Sequence, residues 1–196
     1  MILYLHGFRS SPQSFKARLM AEAMAARGLA HAWACPQLPA SPRAAVDLAR
    51  GLARDLLARG AAADPRRLTV MGSSLGGYYA TRLAEELGCK AVLLNPAVHA
   101  ARDLATQVGE HRMYHSEAPF VFLPEYVDEL AELHAGPLTH PERYFLLAAT
   151  GDEVLDWREM RERYAGCRHR IIEGGDHGLS GFERWLPEVL AFALDE

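Results

Sequence analysis

Cysteine is scarce in this chain. Cys35, Cys89 and Cys167 are widely spaced and odd in number, and no CxxC pair occurs. That excludes a disulfide framework and a zinc ribbon, and leaves neutral thiols in a reducing compartment as the expectation. An excess of positive charge is also missing. The formal net charge is −4, and the arginines, which far outnumber the lysines, are scattered rather than gathered in a stripe. Aromatics do not interleave with basic residues, so no footprint for nucleic acid is present. No apolar run approaches the roughly 20 residues of a membrane span. The opening MILYLHGFRSSP lacks the charged and apolar regions of a secretion signal, so a cytoplasmic protein without a membrane partner is expected. His31, His99, His111, His115, His134, His140 and His169 follow no metal-ligand spacing. They are expected to be solvated or core histidines, and neither a metal nor a cofactor is implied. Internal repeats and low-complexity segments are absent too.

What the chain has is alternation. Short apolar runs at Ile2–Leu5, Ala30–Ala34, Leu68–Met71, Ala91–Leu94, Tyr144–Ala149 and Arg170–Glu173 are separated by segments of helical period. Ser11-Pro12 and Ser41-Pro42 read as helix N-caps followed by proline at the first helical position. Helices are predicted to close at Gly28 and near Gly60, and others to cover 75–87, about 157–164 and 182–194. The pattern predicts an α/β fold with a mostly parallel sheet and helices on both faces. A length of 196 residues suits one domain, residues 1–196. One interval breaks the rhythm. Asn95 to Arg143 is too long for a simple connection. A cap or lid insertion at about 98–142 is expected, the alternative being a packed helical insertion that only supports the sheet.

Gly72-Ser73-Ser74-Leu75-Gly76 fits G-x-S-x-G, and it follows an apolar strand and precedes a helix. That is the context of a nucleophile elbow, a strained turn that lifts the serine past the strand end. Side chains two positions away on either side would collide there. Only Ser74 has glycine on both flanks; for Ser73 those positions are Met71 and Leu75. Gly77 is expected to let the helix pack closely on the sheet.

A serine hydroxyl needs a base, and the base needs an orienting group. With such an elbow the chain order is serine, acid, histidine. Asp152 follows the fifth strand in ATGDEVLD, and His177 follows the sixth in EGGDHGLSGFE. Both fall at carboxyl ends of strands, the edge on which Ser74 also lies and where open α/β sheets place their sites. Asp156 and Glu153 are the alternative acids, although Asp156 reads as a helix N-cap. Asp176, next to His177, is expected to point elsewhere. The backbone N–H groups of Leu75 and of Phe8, in the loop after the first strand, are the expected oxyanion donors. His6 is expected to brace that loop, and Gly7 to let it turn back sharply. Arg9 is read as a solvated arginine or a contact for an anionic substrate group.

These residues carry a resemblance. LYLHGF with SSP, PQLP, GSSLGGYYAT, NPAV, TGDEVLD and EGGDH with GFE occur in order from residue 3 to residue 183. In them the chain resembles the YqiA-like small bacterial esterases of the α/β-hydrolase superfamily. It departs from them at Arg9, at Leu179 and in the cap sequence EHRMYHSEAPFVF. The resemblance implies a minimal α/β-hydrolase fold that lacks two N-terminal strands, with six strands in the order 2-1-3-4-5-6. It also implies a serine hydrolase of carboxylic esters or thioesters, with Ser74 as nucleophile, Asp152 as acid and His177 as base. Arg9, Tyr114, Phe120 and Phe122 are the candidate substrate contacts, for a small-molecule substrate of short to medium acyl length. A binding protein that kept the fold without its chemistry, and a hydrolase of another bond type, are the alternatives.

Overall fold

A computed structural model describes residues 1–59 and 64–195. In chain order the elements are β1 (Ile2–Leu5), α1 (Phe15–Ala26), β2 (Trp33–Ala34), α2 (Pro42–Ala58), β3 (Thr69–Ser73), α3 (Leu75–Leu87) and β4 (Lys90–Leu94). An insertion follows, with α4 (Ala100–Leu104), β5 (Gly109–Arg112), β6 (Pro119–Phe122) and α5 (Glu125–Glu132). The chain then returns through β7 (Tyr144–Ala149), α6 (Trp157–Arg163), β8 (Arg168–Ile172) and α7 (Leu186–Leu194).

The main sheet runs β2-β1-β3-β4-β7-β8, and every neighbouring pair is parallel. This is the expected order; the two inserted strands only shift the numbers of the last two. ILYL of β1 and YFLLAA of β7 are buried along their whole length, as strands covered on both faces must be. Their side chains alternate between two core layers. Leu3, Leu5, Val70, Leu93 and Leu146 meet α2 and α3 on one face. Ile2, Tyr4, Met71, Val92, Phe145 and Leu147 meet α1 and α7 on the other.

Local chemistry moves some boundaries. Helix α1 starts at Phe15 with Ser14 in the N-cap position, not at Ser11-Pro12. Ser11 instead closes a preceding turn: its hydroxyl accepts from the Gln13 N–H at 3.1 Å and its carbonyl from the Ser14 N–H at 3.1 Å. The second apolar run is mostly a 3₁₀ turn, Ala30–Ala32, and only Trp33 and Ala34 pair with β1. Ser41 does cap α2, accepting from the Ala44 N–H at 3.1 Å. Gly60, where that helix is predicted to stop, lies outside the described residues. The last helix is split into a 3₁₀ turn, Phe182–Arg184, and α7.

The insertion is not purely helical. β5 and β6 form an antiparallel hairpin with Gly109 opposite Phe122 and Arg112 opposite Pro119. It is anchored from below. Phe122 and Leu130 are buried in the same core layer as α2 and α3. The Glu129 carboxylate accepts from the Ser41 hydroxyl at 2.7 Å, and the Leu130 carbonyl accepts from the Tyr78 hydroxyl at 2.7 Å.

Leu93 sits fully buried in β4 at the centre of the sheet. Leu93→Ala is expected to cost about 2–5 kcal/mol, read as a lower urea midpoint with an unchanged slope.

Candidate active site

The turn from β3 into α3 holds Ser74 at φ 53° and ψ −122°. An L-residue occupies that region only under constraint, at a cost of about 1–3 kcal/mol. Three backbone bonds hold it there. The Ser74 N–H donates to the Leu94 carbonyl at 3.0 Å, and its carbonyl accepts from the N–H groups of Gly77 at 2.9 Å and Ala97 at 3.0 Å. The flanking glycines are steric requirements. A Cβ on Gly72 would collide with the Gly76 carbonyl, and one on Gly76 with the Leu5 and His6 carbonyls at the end of β1. Gly77 differs from expectation: a Cβ there would stand 2.6 Å from Pro96 Cβ, so it admits the segment after β4 rather than the sheet.

The loop after β1 lies directly against this turn. A Cβ on Gly7 would stand 3.2 Å from Ser74 Cβ. Gly7 therefore serves close approach, and its carbonyl accepts from the Ser10 N–H at 3.2 Å where the loop turns. His6 is buried and locks the loop. Its Nε2 accepts from the Leu38 N–H at 3.0 Å, which leaves the proton on Nδ1 to donate to the Gly7 carbonyl at 3.0 Å. Burial, the largest effect, lowers the His6 pKa from 6.5; the Gly7 carbonyl opposes it and His115 adds to it. Among the described residues, the backbone N–H groups of Phe8 and Leu75 meet no protein acceptor.

The loop after β7 brings the acid to the histidine. The Asp152 side chain is fully buried. Its Oδ1 accepts from the N–H groups of Val154 at 2.8 Å and Leu155 at 2.9 Å, and Oδ2 lies 2.8 Å from His177 Nδ1. With Nδ1 so engaged, Nε2 is the nitrogen left for the cavity. Glu153 takes the His177 backbone N–H at 2.9 Å, and Asp156 caps α6 through the Arg158 N–H at 2.9 Å. Asp152 is the one of these three that meets the imidazole. Asp176 points away, accepting from the Ser180 N–H at 2.9 Å; the Ser180 hydroxyl, the larger cause, and this N–H lower its pKa.

Ser74 and His177 line one cavity of about 540 Å³, together with Gly7, Phe8 and Leu75. Tyr114 and His115, from the tip of the β5–β6 hairpin, line it too. The other candidate contacts do not. Phe120 and Phe122 pack edge-on against the Phe8 ring, with centroids at 5.1 and 5.3 Å. Arg9 is partly exposed and does not line the cavity. Its Nε donates to the Arg112 carbonyl at 2.8 Å, its guanidinium lies 4.6 Å from the Tyr114 ring centroid, and its own carbonyl accepts from the Tyr114 N–H at 2.8 Å.

Two further residues belong to the site. Asn95 is fully buried at φ 42°. Its amide donates to the carbonyls of Asp176 at 3.0 Å and His177 at 3.1 Å, and its oxygen accepts from the Ala149 N–H at 2.9 Å. It thereby ties the histidine loop to the end of β7. Its place in NPAV was its only sequence signal. Lys16, on α1, is 8% exposed, lines the cavity and donates to the Gly178 carbonyl at 2.6 Å. Burial lowers its pKa to about 8, opposed by the charges of Asp176 and Asp152. No local pattern marks it.

A model of the Uncharacterised protein family (UPF0227) matches residues 1–194. The chain belongs to this family. It is the YqiA-like family to which the motifs pointed. Among solved structures, a chain from the metagenome-derived lipolytic enzymes LipS and LipT is similar to this UPF0227 chain at 18% identity and TM-score 0.70, covering 100% of it and 93% of that chain. Est1E from Butyrivibrio proteoclasticus is similar at 13% identity and TM-score 0.67, covering 96% and 84%. Alpha/beta hydrolase domain-containing protein 10 from mouse is similar at 18% identity and TM-score 0.60, covering 96% and 88%. The fold is that of a minimal α/β hydrolase. Among the described residues no three His, Cys, Asp or Glu side chains are grouped to hold a metal ion, and no helix is long and apolar enough to cross a membrane.

Asn95→Ala leaves three backbone groups without their partner and is expected to destabilise the protein by about 3 kcal/mol or more, measured by chemical denaturation. Buried His6 takes a proton less readily in the folded chain than in the unfolded one. Its contribution to stability is therefore complete above about pH 6.5 and is lost as pH falls below that value. Urea midpoints at pH 7.5 and 5.5 should show the fall, and His6→Gln should show a smaller one.

Proposed function

We propose that the chain is a serine hydrolase of small carboxylic esters or thioesters, working through Ser74, His177 and Asp152. One observation carries the reading: a serine held at φ 53° shares a cavity with a histidine whose Nδ1 meets a fully buried carboxylate. Binding alone needs no serine kept in a strained turn.

In this reading Ser74 Oγ attacks the ester carbonyl while His177 Nε2 takes its proton. Asp152 holds the imidazole with its proton on Nδ1 and stabilises the imidazolium that forms. The N–H groups of Phe8 and Leu75 receive the oxyanion, which suits two donors with no protein acceptor. His177 returns the proton to the departing alcohol or thiol, and water then repeats the sequence on the acyl-enzyme. The chain is read as one domain, 1–196, in which residues 98–142 cap the site, since Tyr114 and His115 reach the cavity from the hairpin tip. The cavity volume suits a small molecule. LipS and LipT, lipolytic enzymes by description, share the fold and favour an ester among hydrolysable bonds.

A fluorophosphonate probe should label the protein once, and Ser74→Ala should abolish labelling while the circular dichroism stays unchanged. No labelling of the folded protein, or equal labelling of the variant, would sink the reading. Asp152→Asn, which alters the imidazole tautomer, should lower kcat by about 10⁴-fold on a p-nitrophenyl ester.

A further inference from the structure

We propose that the cavity takes an ester that carries a carboxylate, and that Lys16, with Ser14 and Tyr4, receives that carboxylate. The inference rests on the ester-hydrolase reading and adds its substrate class.

Lys16 is the starting point. Its amine is buried at the cavity wall beside the histidine loop and spends one N–H on the Gly178 carbonyl. It makes no ion pair among the described residues. A buried ammonium without a counter-ion is costly, and an anion in the adjacent space relieves that cost. Asp152 and Asp176 favour its charged form, yet neither is within ion-pair distance. At neutral pH it is still largely protonated, and a bound carboxylate would hold the proton on.

Two hydroxyls stand on the same wall. Tyr4 Oη and Ser14 Oγ are both buried, both residues line the cavity, and neither oxygen has a hydrogen-bond partner of good geometry. They lie close enough to each other and to Ser73 for the serines to favour the phenolate, although burial dominates and raises the Tyr4 pKa. Ser14 occupies the N-cap position of α1, where a serine ordinarily bonds its own helix. Here its side chain makes no capping bond. An ammonium with N–H groups to spare and two unspent hydroxyls together match the acceptor oxygens of a carboxylate.

The opposite wall excludes the same group. Asp103 belongs to α4, which packs in the core layer across the sheet from α1. Its Oδ1 pairs with Arg102 at 2.7 Å, and Oδ2 is buried without a partner at the cavity. A second carboxylate is repelled there. Ser74 lines the same cavity, so an ester lying over it is expected to turn its anionic arm away from Asp103 and toward Lys16.

The test is a comparison of matched esters. Monomethyl glutarate against methyl valerate places the carboxylate on the acyl side; acetoxyacetate against propyl acetate places it on the alcohol side. For the wild type, kcat/KM of one carboxylate ester is expected to exceed that of its neutral partner by about tenfold or more, and which pair shows this tells which arm meets Lys16. Lys16→Met should bring that ratio close to one, and Ser14→Ala and Tyr4→Phe should each lower it. If Lys16 served only to hold Gly178, both substrates would slow in proportion and the ratio would survive. A wild-type ratio near one in both pairs, or a ratio unchanged in all three variants, overturns the inference and leaves the esterase reading standing. Hydrolysis of none of the four esters overturns both.

Discussion

Two backbones touch at the centre of this molecule, and the site depends on that contact. The first turn of α3 presses on the last carbonyls of β1, with no room for a side chain at Gly76. Because β1 and β3 are neighbours in the sheet, the contact sets the distance between the serine turn and the loop after β1. Gly7 closes the remaining gap against Ser74. Phe8 and Leu75 are thereby brought to the rim of one cavity from two elements far apart in sequence. The strain at Ser74 persists because its N–H and carbonyl are bound on both sides.

The histidine side adds side-chain bonds to a contact of the same kind. A close backbone approach holds its loop as well: a Cβ on Gly151 would collide with the Gly175 carbonyl, and the Gly151 N–H donates to the Gly174 carbonyl at 2.9 Å. Side-chain polar groups secure the rest. Asn95 grips two carbonyls, Glu153 takes the backbone N–H of His177, and Lys16 takes the carbonyl of Gly178. Asp152 is itself fixed by two backbone donors before it meets the imidazole. Where these bonds are shielded from water, as at the fully buried Asn95, they are stronger than in water and costly to leave half made. The loop is consequently defined by a network together with the close approach at Gly151.

How much of this was legible in the sequence follows from the range of the forces involved. Helix α3 and strand β7 were readable to the residue, since apolar runs and glycine breaks are local signals. A mostly parallel sheet followed from short strands alternating with helices, its strand order from the resemblance, and the candidate triad from residues at three strand ends. Helix α1 was misplaced because Ser11-Pro12 and Ser14 compete as starts, and a turn closed by Ser11 wins. The hairpin escaped notice because GEHR and PFVF are four residues each and half exposed. Phe120 and Phe122 looked like cap contacts, yet they face Phe8 instead. Lys16 had no local signature, and Asn95 had only its place in NPAV. Their partners lie 162 and 54 to 82 residues away in the chain, and burial created by such contacts leaves no periodicity to read.

Arg9 joins two parts of the molecule that a modular view would separate. Its side chain holds the hairpin at Arg112 and Tyr114, while its backbone belongs to the loop that carries the Phe8 N–H. Roof and floor are thus mechanically coupled through residue 9, beside the packing of the Phe8 ring on Phe120 and Phe122. A hairpin transplanted from a relative would arrive without one of its anchors unless residue 9 travelled with it. The exchangeable unit of this fold is therefore discontinuous, a surface insertion together with one position near the start of the chain.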